Sequence, residues 1–415
     1  MTLLKTSILS AISSGIKILT GLVVTKIIAI YLGPVGIALL GQFASLKTIV
    51  TAFSTGGIKN GIVKYISEYR DDATNRNNFL ITSFLIGFIF SIISCIILVA
   101  FNEFFAEKVL HEKTYGYIFT IFGISIFFLT LNIILMSFLN GMGEIKKFIM
   151  INIASNFVGL IFTSIMSIYI GIEGALISYA TGEAIVLIVT IVMILKSKWF
   201  SFDILKGEIE KDNITKLLKY TLMALFTLIS LALTPIIIRE YIGSYLSWEE
   251  AGYWQAVWRI SQIYLMVFTM ILSIYYVPKL SGLNDINDIK KEIKSGYKLL
   301  MPIVITIMLS IYFLREFIVE LIFTKEFLPA ITLFAFQLIG DTIRVASRLV
   351  DKLLIAKAKT RLFIFSELFF SLTFITFAII GINYYGLIGV TYGYAFSFLL
   401  YFIWIMYMYN RNKLV

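Results

Sequence analysis

One cysteine and one histidine in 415 residues leave this chain little scope for redox or metal chemistry. Cys95 alone closes no intramolecular disulfide, and Cys95 with His111 cannot build a His/Cys metal site. Charge is scarce too: Asp, Glu, Lys and Arg make up 14% of residues, where soluble domains carry about a quarter. No G-x-x-x-x-G-K-S/T, G-x-S-x-G or H-E-x-x-H is found, and there is no paired-carboxylate arrangement in a loop large enough to form a catalytic domain. Nothing therefore points to ATP hydrolysis or hydrolase chemistry; no cofactor is implied, and the expectation is a protein that is not an enzyme. Acids are outnumbered, 25 against 35 bases, for a net charge of +10. In so apolar a chain that excess belongs at a membrane surface, so no nucleic acid is implied.

Apolar sequence is what the chain has in abundance. Hydrophobic residues make up 59% and mean hydropathy is +0.91. Twelve apolar stretches are each about the length of a bilayer crossing: 7–31, 37–62, 78–101, 115–139, 148–170, 174–195, 215–240, 250–276, 297–322, 329–352, 361–383 and 386–409. The spacing predicts an all-α integral membrane protein. The first run follows Lys5, is too long for a signal peptide, contains Lys17 and Lys26, and reads as a retained span.

Lys and Arg set the orientation. The termini and even-numbered links hold 22, including Lys5, Lys198 and Lys413; the odd-numbered links hold four, Lys108, Lys113, Arg239 and Lys325. Both termini are therefore expected in the cytoplasm. The Lys-rich link 197–214 divides the spans into two sets of six, giving expected bundles of 1–205 and 206–415. Gly171–Tyr179 echoes Tyr385–Tyr392, as a parallel repeat of six spans would. Gly56, Gly57 and Gly61 read as helix packing or a hinge rather than a phosphate loop.

Several spans carry charge near mid-membrane, where each cation facing lipid costs about 2.5–3.5 kcal/mol. In the tenth span Gln337, Asp341, Arg344, Arg348 and Asp351 follow i, i+4, i+7, i+11, i+14, one helical face. That face must meet water or charged partners; Asp341 with Arg344, and Arg348 with Asp351, can pair at i, i+3. In the eighth span Gln255, Arg259 and Gln262 share a face, flanked by Trp254 and Trp258, which stack on a sugar or simply pack. Lys17 shares a face with Ser10, Ser14 and Gly21, and Lys47 with Thr51 and Ser54; Lys59 and Lys64 read as mouth or surface residues. Glu183 and Glu367 are isolated intramembrane acids, either ion-coupling sites or charge partners, as is Asp341. Lys17, Lys47, Arg259, Arg344 and Arg348 outnumber the acids and suit an anionic substrate, phosphate or diphosphate above all.

These residues resemble a known family. Lys26–Phe43 (KIIAIYLGPVGIALLGQF), Gly56–Tyr69 (GGIKNGIVKYISEY), Ser247–Gln255 (SWEEAGYWQ) and LLIAKA around Leu354–Lys357 are similar to segments of the polysaccharide flippases of the multidrug/oligosaccharidyl-lipid/polysaccharide exporter superfamily. O-antigen translocases and enterobacterial common antigen lipid III flippases are among these. The resemblance covers essentially the whole chain. It implies a MATE-like fold of two six-helix bundles around a central cavity, working by alternating access in a bacterial inner membrane. It also implies an undecaprenyl-diphosphate-linked oligosaccharide as substrate, and the polysaccharide polymerase and chain-length regulator as further partners beside the lipid bilayer. Cationic residues on the first, second and eighth helices serve the diphosphate in such flippases, and Lys17, Lys47 and Arg259 fall on those helices. Two other readings stay open here: a multidrug antiporter, and a membrane enzyme of lipid-linked polysaccharide assembly.

Overall fold

The computed structural model describes residues 3–197, 200–283, 285–357 and 359–411, with side chains at all of these except 3–8, 202, 205, 219–220, 222–231 and 274. Lys198 and Lys413, counted among the basic links, lie outside the described residues, as does the Lys5 side chain. Among the described residues every regular element is helical. In chain order they are α1 (Leu3–Ser54), α2 (Lys59–Glu68), α3 (Ala73–Ala100), α4 (Asn102–Leu110), α5 (Gly116–Gly141), α6 (Ile145–Leu195), α7 (Lys211–Tyr245), α8 (Trp248–Ile271), α9 (Val277–Gly282), α10 (Ile286–Phe313), α11 (Arg315–Ile322), α12 (Phe334–Ala356), α13 (Thr360–Tyr385) and α14 (Ile388–Asn410).

Among the described residues eight helices are long and apolar enough to cross a membrane, making this a multi-pass membrane protein. Two of the eight, α1 with 52 residues and α6 with 51, are each about 75 Å long at ~1.5 Å per residue, against a hydrocarbon core of ~30 Å. Each is broken once, at Gly33 (φ 61°, ψ −166°) and Gly171 (φ 69°, ψ −139°), so each supplies two crossings. By length alone α7 and α8, at 35 and 24 residues, could also cross. Large apolar side chains point outward, Leu19 at 64% exposure and Leu372 at 65%, the reverse of a water-soluble protein and the arrangement lipid demands.

The helix boundaries differ from expectation where the pattern is amphipathic. The stretch 286–296 reads as a polar link, yet it forms the first turns of α10, because Ile289, Ile293 and Leu300 recur on one buried face. The second apolar stretch ends early: Gly56 and Gly57, at φ +57° and +62°, break it before α2 begins. The ninth is interrupted at Leu314. Arg239, assigned to a link by sequence, lies inside α7 at 1% exposure. Caps fix several helix starts: Asp72 accepts from the Asn75 amide at 3.1 Å, and Ser247 from Glu250 at 3.1 Å. At the surface, the Asn75 backbone and side-chain amides hold the Asp72 carboxyl below its ordinary range.

The chain divides into two compact units, Met1–Leu32 with Leu39–Ala232, and Gly33–Ala38 with Leu233–Val415. Unit 1 has a core of Ile58, Ile62, Ile66, Phe79 and Phe138, joined by Leu217. Unit 2 has one of Leu280, Ile289, Ile293, Leu349, Leu353 and Ile405. The repeat seen in the sequence is also present in the backbone. Gly386 (φ 64°, ψ −149°) bends the chain before α14 in nearly the conformation of Gly171 in α6. Three residues after each bend, a Cβ on Gly174 would lie 2.1 Å from the Met166 carbonyl oxygen, and one on Gly389 would lie 1.9 Å from that of Gly381. Both are contacts to the residue eight earlier, so each hairpin closes on glycine because no larger residue fits.

Candidate functional site

Unit 1 encloses a polar chamber of about 630 Å³. The walls come from four helices: Ser10, Ser13, Ser14 and Lys17 of α1, Lys59 of α2, Asn132 and Asn140 of α5, and Asn152, Asn156 and Glu183 of α6. The periodicity explains the lining. Ser10, Ser13, Ser14 and Lys17 fall at i, i+3, i+4, i+7, and Asn152 and Asn156 at i, i+4, so each helix presents one polar stripe. Such a stripe cannot face hydrocarbon and is stable only over a wet space.

Charge in the chamber is unequally committed. Lys47 donates to Glu183 at 3.0 Å and to the Tyr179 carbonyl at 2.8 Å, neutralising the acid on the wall. Lys17 and Lys59 are exposed and make no ion pair among the described residues. The chamber is therefore net positive, with amide and hydroxyl side chains around the two ammonium groups. Of these side chains, Asn132 accepts from Thr190 at 2.6 Å and Asn152 donates to the Phe148 carbonyl at 2.8 Å. Lys59, read as a mouth residue, and the asparagines were missed as wall residues. The i, i+4 pair Asn152/Asn156 was the signal that could have found the latter.

In unit 2 the amide and carboxyl groups on the polar face of α12 are buried, while Arg344 and Arg348 are half-buried. Gln337, Asp341 and Asp351 are no more than 1% exposed. Asp341 accepts hydrogen bonds from Ser261, Tyr264 and, at 2.7 Å, Tyr394. Gln337 donates to Ser261 at 3.2 Å. The expected ion pair of Asp341 with Arg344 is replaced by a relay: Arg344 donates to the Tyr394 hydroxyl at 3.1 Å, and that hydroxyl donates to Asp341. The Arg344 guanidinium also lies over Phe398 at 5.5 Å. Arg348 bonds Asp351 at 2.8 Å and Glu367 at 2.5 Å, and Asp351 in turn accepts from Tyr401 at 3.0 Å. These carboxylates thus act as charge partners. Of the two alternatives for this face, water or partners, partners are what it meets: tyrosines from α14 and acids within reach, because burial without partners would cost several kcal/mol per charge. Lys352, 7% exposed, donates to Ser273 at 3.0 Å where α8 passes into a π-helical turn, Leu272–Tyr276.

On α8, Gln255 accepts from Arg239 at 3.1 and 2.6 Å, and Trp254, wholly buried, lies 5.7 Å under that guanidinium. Trp254 is thus a packing residue and cannot stack on a sugar. Trp258 is half-buried and stacks on Phe374 at 6.1 Å. Gln262 is half-buried, and so is Arg259, which has no hydrogen-bond or ion-pair partner among the described residues. Of the five cations predicted to bind substrate, Lys47 and Arg348 are tied to acids, Arg344 is tied to tyrosine, and Lys17 and Arg259 carry uncommitted charge.

Comparison with known proteins gives this geometry a family. The chain is 29% identical to the lipid III flippase of Escherichia coli (strain K12) over 402 residues, 97% of each chain. Its fold matches an inward-facing multidrug resistance MATE family transporter of the MOP superfamily with TM-score 0.79 at 15% identity, covering 96% of this chain and 95% of that one. It matches the lipid II flippase MurJ, in an inward closed conformation, with TM-score 0.73 at 19% identity, covering 97% and 87%. Residues 3–284 match the model of one family along most of the chain, and the protein belongs to that family, described as polysaccharide biosynthesis protein.

Proposed function

We propose that the protein is a flippase for lipid-linked oligosaccharides, carrying an undecaprenyl-diphosphate-linked repeat unit from the inner to the outer leaflet of a bacterial inner membrane, with both termini cytoplasmic. It acts as a transporter and not as an enzyme, and it serves the polymerase and chain-length regulator that use the exported unit. The observation that carries this reading is the net-positive chamber of unit 1, where Lys17 and Lys59 stand without acidic partners among serines and asparagines. Ammonium groups suit a diphosphate, and amide and hydroxyl side chains suit sugar hydroxyls. The 29% identity with a lipid III flippase over the full chain supports the same substrate class.

In the mechanism, the bundles 1–205 and 206–415 alternate access to the head group. Lys17 and Lys59 neutralise the diphosphate in the unit 1 chamber, where Lys47 holds Glu183, and Arg259 is the uncommitted cation that unit 2 carries. The isoprenoid tail stays in the bilayer throughout, so the barrier is dehydration of the head group, which polar side chains replace. A potential negative inside drives each negative charge outward by about 2.3 kcal/mol per 100 mV, so export needs no ATP. The test is complementation of an O-antigen-export mutant. Wild type restores surface polysaccharide, whereas Lys17→Ala and Arg259→Ala, expressed at equal level, do not; full restoration by both variants overturns the reading.

A further inference from the structure

One face of α10 carries two features that transport leaves unused. Its first turns bear Lys290, Lys291, Lys294 and Lys298, all exposed, and none of the four has an ion-pair or hydrogen-bond partner among the described residues. The nearest acid along the helix, Glu292, is taken by Lys279 at 2.8 Å. The opposite side, Ile289, Ile293 and Leu300, is buried against Leu349, Val350 and Leu353 of α12, which fixes the lysines outward. Further along the lysine face, at i+7, i+11 and i+14 from Lys298, Ile305, Leu309 and Tyr312 line an apolar furrow of about 390 Å³. Its other wall is Leu338, Thr342 and Ile343 of α12.

Cations and furrow therefore lie along one line of one helix. From Lys298 to Leu309 is roughly 16 Å at 1.5 Å per residue, about the ~15 Å depth of one leaflet's hydrocarbon. A soluble anion would satisfy the lysines and leave the furrow empty, while an uncharged lipid would fill the furrow and leave the lysines unused. An amphiphile with an anionic head and an apolar chain takes both. We propose that this face of unit 2 is a binding site for an anionic glycerophospholipid of the leaflet bordering the Lys-rich links, its phosphate on Lys290, Lys291, Lys294 and Lys298 and an acyl chain in the α10–α12 furrow. Thr342 and Ile343 adjoin Asp341 and Arg344 in sequence, so a chain in the furrow braces the helix that bears the buried charge cluster.

The test uses the full-length protein in detergent with phosphatidylglycerol and phosphatidylcholine of matched chains. Native mass spectrometry reads the retained lipid, and thermal unfolding reads stabilisation. Wild type retains phosphatidylglycerol preferentially and melts higher with it. Each lysine near an anionic head is worth about fivefold in affinity, so K290Q/K291Q/K294Q/K298Q loses that preference by roughly tenfold or more. Leu309→Trp, which fills the furrow from an exposed position, lowers retention of both lipids. Equal retention of the two lipids by wild type, or an undiminished preference in the quadruple variant, overturns the proposal. Inorganic phosphate reproducing the full stabilisation assigns the lysines to a soluble anion and overturns it too. The readout is lipid retention, so the outcome is independent of whether the chain flips oligosaccharides.

Discussion

The two units treat intramembrane charge in opposite ways. In unit 1, Lys17 and Lys59 look into an open polar chamber with no acid bound to them. In unit 2, Asp341, Arg348, Asp351 and Glu367 are knitted into a buried network with tyrosine and serine hydroxyls. Charged residues on the helices of the two units thus serve different ends. An uncommitted cation beside water can bind an anion, whereas one that already grips two carboxylates fixes how helices pack. Depth in the membrane marks a charge as consequential, and its partners decide what the consequence is.

Substitutions break this contrast most clearly in unit 2. Arg348→Ala leaves Asp351 and Glu367 buried without their cation, and costs about 3–5 kcal/mol of stability. Size-exclusion profiles and thermal unfolding show it as loss of a monodisperse, cooperatively melting protein; a normal melting curve would place the network outside the fold's support. Lys17→Ala does the reverse. Flipping of a fluorescent lipid-linked oligosaccharide in proteoliposomes falls by roughly 10–100-fold, the worth of one hydrogen bond to a charged group, while melting stays unchanged. A matching loss of stability would assign Lys17 to packing. Lys47→Ala exposes Glu183 to the chamber uncompensated and weakens both stability and transport. Lys47→Ala with Glu183→Gln recovers part of each, and a double-mutant cycle gives a coupling of about 1 kcal/mol. Additive effects would dissolve the pair. The smallest effect is at the surface. The Asp72 carboxyl is held below its ordinary range, so its cap on α3 contributes above the unfolded carboxylate range and is lost as pH falls through the lowered value. Protection of the first α3 amides from hydrogen exchange, taken relative to their intrinsic rates, therefore falls in acid, and Asp72→Ala removes that pH dependence.

Much of the fold was legible because a membrane span needs only length and apolarity, and the chain supplies both. The breaks at Gly33 and Gly171 were legible as glycine-bearing turns for the same reason that they exist, since their backbone conformations are open to glycine alone. The first turns of α10 were not, because four lysines disguise an amphipathic helix as a loop. The site was half legible. Spacing placed Lys17 on a serine face and Arg348 beside Asp351, both local relations along one helix. Whether a cation is free depends on partners far away in sequence: Glu183 lies 136 residues from Lys47, and Tyr394 lies 50 from Arg344. No single-helix pattern reports such distances, and so Lys47, Arg344 and Lys17 looked alike until the helices were packed.

The glycine crossings at Gly174 and Gly389 carry a consequence for motion. Where two backbones approach so closely, a pair of crossings cannot slide or splay without opening a void, so each hairpin behaves as a single stiff lever. A bulky residue at either glycine would prise its two crossings apart at the turn and so break the lever at its fulcrum.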